Sequence, residues 1–118
     1  EEMPVKSLIT YPKNDLEIKE GEAFHIRGKA WSGSGFVSKV YTSIDFGITW
    51  QEAKLKDARN KFSWRRWENN INFPKKGYYE VWVRAVDSLG RSQPMVLPGW
   101  NPKGYLNNAS HRIALKVV

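Results

Sequence analysis

Cysteine is absent from this chain of 118 residues, and histidine occurs only as His25 and His111. No disulfide can staple the fold, no thiol can serve as nucleophile, and no cysteine-rich zinc site can be assembled. Packing has to hold the structure. The compartment stays open, because many exported proteins also do without disulfides. No stretch approaches the roughly 18 consecutive apolar residues that a membrane-crossing helix needs.

Catalytic motifs are missing as well. Gly33-Ser34-Gly35 lacks the third glycine and the following helix of a dinucleotide loop. Neither a phosphate-binding P-loop nor a G-x-S-x-G nucleophile elbow occurs, and nothing selects the members of a Ser-His-Asp triad. His25 falls on the polar face of a strand and reads as a surface residue. The opening Glu1-Glu2-Met3-Pro4 shows no export signal and reads as a fragment boundary. Taken alone, the chain is not expected to be an enzyme.

What is present is aromatic and basic. Six Trp, 5 Tyr and 5 Phe supply large buried surfaces, each worth about 150–250 Å² removed from water. The length fits one domain, 1–118, with its own core. Lys and Arg number 19 against 12 Asp and Glu, for a net charge of +7. Such a balance suits nucleic acid, phosphate, an acidic protein or a small oxyanion, and equally a solvated basic surface.

One stretch organises the rest. Ser43-Ile44-Asp45-Phe46-Gly47-Ile48-Thr49-Trp50 spells S-x-D-x-G-x-T-W, an Asp-box. The carboxylate of Asp45 is expected to accept backbone N–H groups two or three residues on, and Gly47 to take a positive φ. Thr49 and Trp50 then begin a return strand running to about Lys56, with the indole folded over the turn. The aspartate is structural in this reading. Boxes of this kind recur in β-propellers, but a single box without a blade-length repeat points to a sandwich hairpin.

Period-two alternation marks strands at Val5–Thr10, Leu16–Ile18, Ala23–Ala30, Val37–Ile44, Phe62–Trp67, Tyr78–Ala85 and Ile113–Val117. Turn signals separate them: Lys13-Asn14-Asp15, Glu20-Gly21-Glu22, the loop Trp31 to Gly35, Pro74 to Gly77, and Asp87 to Gly90. About seven short strands without a helical period predict an all-β, immunoglobulin-like two-sheet antiparallel β-sandwich. Without a cysteine pair it is not of the antibody type.

Two clusters read as surfaces rather than core. Gly99 to Asn108 combines turn residues, Trp100, Tyr105, three asparagines and Lys103, with His111-Arg112 following. An ordered loop capping its own backbone explains it structurally; a cationic surface of fixed shape explains it functionally. Trp64-Arg65-Arg66-Trp67 interleaves cations with aromatics, suited to cation–π pairs or, more weakly, to single-stranded nucleic acid.

These pieces occur in a telling order. Ala30-Trp31-Ser32-Gly33, the Asp-box, Trp64-Arg65-x-Trp67, Arg84-Ala85-x-Asp87-Ser88, Gln93-Pro94, Trp100-Asn101-Pro102-Lys103-Gly104-Tyr105 and Asn108-x-x-His111-Arg112 follow one another. The succession resembles the C-terminal dimerisation domain of the sulfite oxidase family of molybdenum enzymes, from Val5 to the end. That resemblance implies a non-catalytic domain behind an upstream molybdopterin domain, which holds the metal and its cysteine ligand. It implies a homodimer, and a periplasmic bacterial parent that passes electrons to a cytochrome or haem partner. Neither nucleic acid nor membrane is among the expected partners.

The family's domain also lends a basic side chain to the substrate pocket of its catalytic neighbour. In animal sulfite oxidases this is the arginine of a Trp-Asn-x-Arg-Gly run, and the matching position here is Lys103. An ammonium keeps the charge but not the two-pronged grip of a guanidinium. Ser110 stands where family members often carry tryptophan. Arg65, Arg66, Trp100, Asn101, Asn108, His111 and Arg112 are the expected domain or dimer contacts. The rival reading is a carbohydrate-binding sandwich stacking sugars on Trp31, Trp67 or Trp82.

Overall fold

A computed structural model of the chain describes residues 5–12, 16–33, 35–56, 64–92 and 111–118. Among these, nine strands run in the order β1 (Val5–Tyr11), β2 (Leu16–Ile18), β3 (Phe24–Ser32), β4 (Val37–Ser43), β5 (Gln51–Glu52), β6 (Lys54–Leu55), β7 (Arg65–Ile71), β8 (Gly77–Asp87) and β9 (Arg112–Val117). They form a four-stranded sheet, β1-β3-β7-β6, and a five-stranded sheet, β2-β9-β8-β4-β5. The architecture is the expected all-β, immunoglobulin-like sandwich.

Alternation decides which side chains meet between the sheets. Phe24, Ile26 and Ala30 of β3, with Trp67 and Ile71 of β7, face Val81, Val83 and Ala85 of β8 and Ile113, Leu115 and Val117 of β9. Their neighbours in sequence point outward, as a period of two requires. Trp67 is the largest fully buried side chain, at 1% exposure. Gly28 of β3, cross-strand from it, supplies the missing volume. Polar bonds also bridge the layers: the Asn69 amide donates to Thr42 Oγ1 at 2.9 Å.

Five details depart from the sequence expectation. The strand expected over Phe62–Trp67 is observed as β7, Arg65–Ile71, which runs on through the polar Glu68, Asn69 and Asn70. The sandwich is not purely antiparallel, because β2 pairs parallel to β9, Leu16 opposite Leu115. A three-residue alternation says nothing about pairing direction. Trp31 and Ser32 extend β3 rather than opening a loop, since Lys6 and Val5 of β1 lie opposite them. The limb after the Asp-box is split: β5 pairs with β4 in one sheet, and β6 pairs with β7 in the other. Ala53, buried between them, donates its N–H to Val40 O at 2.8 Å and carries the chain from layer to layer. Trp67 and Trp82 are buried, so neither offers a platform for sugars.

Candidate functional site

The Asp-box folds around two residues rather than one. Ser43 Oγ accepts N–H bonds from Asp45 (3.3 Å) and Gly47 (2.9 Å) and donates its proton to Asp45 Oδ1 (2.7 Å). Asp45 in turn accepts from Thr49, through its N–H at 2.9 Å and through its hydroxyl. The aspartate therefore reaches four residues on, not two or three. Both Phe46 (φ 60°) and Gly47 (φ 83°) adopt left-handed backbone, which lengthens the turn and presents the Thr49 N–H to the carboxylate. The Thr49 bonds hold the Asp45 carboxyl below its usual range. The Trp50 indole closes the turn by donating to Gly47 O at 3.0 Å, as anticipated.

A cavity of about 250 Å³ opens beneath this turn, lined by Thr42, Asp45, Thr49, Gln51, Pro74 and Tyr79. Asp45 is already committed to Ser43 and Thr49 on its rim. The turn leans instead on the outer face of the five-stranded sheet. Phe46 meets Trp82 edge-on at 5.8 Å, the Arg112 guanidinium lies 4.6 Å from the Trp82 ring, and Arg84 lies 4.3 Å from Trp50. The Trp82 indole donates to Glu80 (2.9 Å), and Glu80 pairs with Arg112 at 3.7 Å. Cation, ring and carboxylate thus lock β8 to β9 at the point where β9 begins.

That point is one of two anchors of residues 93–110, which lie outside the described residues. The other is the turn after β8. Asp87, 2% exposed, accepts Arg91 Nε and Nη2 (2.9 and 2.7 Å), the Ser32 hydroxyl (2.9 Å), and the N–H groups of Leu89 and Arg91 (3.0 Å each). Burial pushes its carboxyl up, but the bonds from Arg91, Ser32 and Leu89 outweigh it and hold the pKa low. Ser92 then bridges back to Val86. On the returning side, the Val83 N–H donates to His111 O at 3.1 Å. His111 Nδ1 accepts the Ile9 N–H at 2.7 Å, tying β1 of one sheet to the start of β9 in the other. Burial lowers the His111 pKa, in keeping with a neutral imidazole that accepts there.

The expected contact residues therefore separate. His111 and Arg112 are both engaged inside the domain. Arg65 faces inward: its Nε and Nη2 donate to Lys56 O (3.0 and 2.8 Å) and its Nη1 to Val37 O (3.4 Å). It is a clamp between strands, not a partner for Trp64 or Trp67. Arg66 is exposed on the outer face of the four-stranded sheet. Trp100, Asn101, Lys103 and Asn108 lie outside the described residues. Between Ser92 and His111, Lys103 is the sole charged side chain.

Sequence reasoning recognised the Asp87 turn but not the buried network beneath it. The signal was an arginine four residues after an aspartate in a turn. Nor did it foresee Trp31 and Trp64 stacked on each other, rings 4.1 Å apart and 18° from parallel. His25 sits on the outer face of β3, as anticipated, and bonds Asn70 at 3.0 Å. Among the described residues no three His, Cys, Asp or Glu side chains gather as a metal site.

Comparison with known proteins completes the picture. A family model described as the Mo-co oxidoreductase dimerisation domain matches residues 1–118. The chain is 38% identical over 125 residues to mitochondrial sulfite oxidase of Rattus norvegicus, covering 100% of this chain and 23% of that protein. The mitochondrial sulfite oxidase of Homo sapiens is 40% identical over 125 residues, covering 99% and 23%. The crystal structure of the sulfane dehydrogenase SoxCD from Paracoccus pantotrophus matches with a TM-score of 0.74 at 28% identity, over 98% of this chain and 33% of that one. The chain thus spans less than a quarter of the length of the sulfite oxidases it matches.

Proposed function

Because this chain belongs to the Mo-co oxidoreductase dimerisation domain family, we propose that it pairs two copies of a sulfite oxidase-like enzyme and lends Lys103 to the anion pocket of an upstream molybdopterin domain. The observation carrying this reading is the isolation of Lys103. It is the one charge in residues 93–110, and both neighbours of that segment are pinned to β8. Val83 and Val86 stand three residues apart, about 10 Å along the strand. Both ends of the stretch that carries Lys103 thus reach the same strand, and its single cation is the one we assign to a neighbouring domain.

Molybdenum itself does not fit on this chain. There is no cysteine to ligate it. The Nδ1 atoms of both histidines are engaged, His111 by the Ile9 N–H and His25 by Asn70. No redox step is assigned to these residues. What Lys103 supplies is a compact positive charge that attracts and positions a small oxyanion such as sulfite, with the proton staying on Nζ. Electrons leave to a cytochrome or haem partner, in a periplasmic homodimer.

The test is the Lys103→Ala variant of the full-length enzyme. A charge at about 4 Å contributes on the order of 1–4 kcal/mol between water and a protein surface. KM for the anionic substrate should therefore rise roughly tenfold or more, with the melting temperature unchanged and Lys103→Arg restoring the KM. An unaltered KM removes Lys103 from the pocket.

A further inference from the structure

The two outer faces of the sandwich differ in charge. On the five-stranded sheet, cations stand beside carboxylates, Lys39 with Glu52 at 3.1 Å and Arg112 with Glu80 at 3.7 Å. The outer face of the four-stranded sheet is different. Alternation and register bring Lys6 of β1, Arg27 and Lys29 of β3, Arg66 of β7 and Lys54 of β6 to one side. Among the described strand residues of that face, Glu68 is the one carboxylate, and it pairs with Lys56 at 2.9 Å. Lys29 and Arg66 stand directly cross-strand, two like charges held together by the sheet.

Three of these cations lie against aromatic rings. Arg27 lies 4.4 Å from the Tyr11 ring, Lys6 5.8 Å from Trp31, and Lys29 5.7 Å from Trp64. The cations span about 15 Å across four strands and, from Arg27 to the level of Lys6 opposite Trp31, roughly 13 Å along β3. We propose that this face docks an acidic partner protein, whose carboxylates match cations set by sheet register and, at Lys6, Arg27 and Lys29, by the aromatic rings beside them. So compact a charged patch makes the encounter weak, fast and salt-sensitive.

The geometry favours a protein over other polyanions. A nucleic acid strand needs a groove and open ring faces on which bases stack. This face is an open sheet, and Trp31 and Trp64 cover each other while lysines lie over both. A lipid surface requires no fixed pattern of cations, whereas here sheet register and aromatic rings set one. A two-fold contact of this face with its own copy would set like charge against like. The inference is independent of Lys103 and its pocket.

The experiment titrates labelled poly-L-glutamate against the full-length protein at low salt and reads anisotropy. K29E/R66E should weaken binding at least tenfold, whereas K39E/K116E, an equal charge change on the opposite sheet, should weaken it no more than twofold. R27E/K54E should repeat the loss, which guards against a folding defect in the first pair. Equal losses in the two sheets would overturn the proposal, leaving only net charge. So would tighter binding to vesicles with one-quarter phosphatidylglycerol, or to single-stranded DNA, abolished by the same variants.

Discussion

Gly28 lies directly against the Trp67 indole: a Cβ built on this glycine would stand 2.6 Å from Cζ2 of Trp67 and 1.9 Å from Leu8 O. Neither neighbour can give way, because one fills the core and the other is backbone of the adjacent strand. Gly28→Ala should destabilise the domain by about 3 kcal/mol or more, at the upper end for overpacking. The melting temperature should fall by roughly 10 °C. A shift of a degree or two would mean that β1 can move away from β3.

Asp45 predicts a local rather than global defect. Asp45→Ala removes the acceptor for Thr49 and the partner of Ser43. On a half-exposed turn this should cost about 1–2 kcal/mol. Phe46 and Trp50 should loosen against Trp82 and Arg84, which hydrogen exchange at Gly47 and Thr49 would detect. Because the folded carboxyl titrates below its ordinary 3.8, this contribution is full above that pH and fades as acid protonates the folded form.

His111 gives a pH dependence of opposite origin. Burial holds its imidazole below the ordinary 6.5, so the unfolded chain takes up a proton before the folded one does. Stability is unaffected above that value and is lost progressively as pH falls beneath it. Urea midpoints should decline from pH 7 to 5. His111→Ala should flatten that slope while lowering stability at pH 7 by about 1–2 kcal/mol, through the stranded Ile9 N–H. A wild-type midpoint constant down to pH 5 would contradict the assignment.

Asp87 governs the departure of residues 93–110. Asp87→Ala leaves the Arg91 guanidinium without its buried partner and should cost about 3–5 kcal/mol. Cleavage by chymotrypsin within residues 93–110 should accelerate in parallel. Asp87→Asn, which keeps the shape but not the charge, should fall between. Equal protease resistance in all three proteins would disconnect the turn from the segment.

The sequence announced most of the long strands, because a half-buried strand writes its two faces into alternate residues, as Tyr79 to Ala85 do; β7 was placed too early, since its second half is the polar run Glu68-Asn69-Asn70. The Asp-box was legible for a similar reason: Ser43, Asp45, Gly47 and Thr49 act within one turn. What stayed hidden depends on distant partners. The parallel pairing of Leu16 with Leu115 rests on three residues. Arg65 looks like a surface cation until Lys56 O and Val37 O are brought beside it. The Ile9–His111 bond spans 102 positions and has no local signature. Lys103, the residue with most functional interest, was reached through resemblance and not through periodicity.

The margins of both sheets carry one more consequence. Among the described residues, β2, β5 and β6 run for only three, two and two residues. On the long margin, β1, the Ile9 N–H is already taken by His111. Three of the four margins thus offer a stray strand from another molecule only two or three residues of main chain, and the fourth is interrupted at Ile9. Short and interrupted margins work against indiscriminate strand pairing, the route to self-association that ends in fibrils.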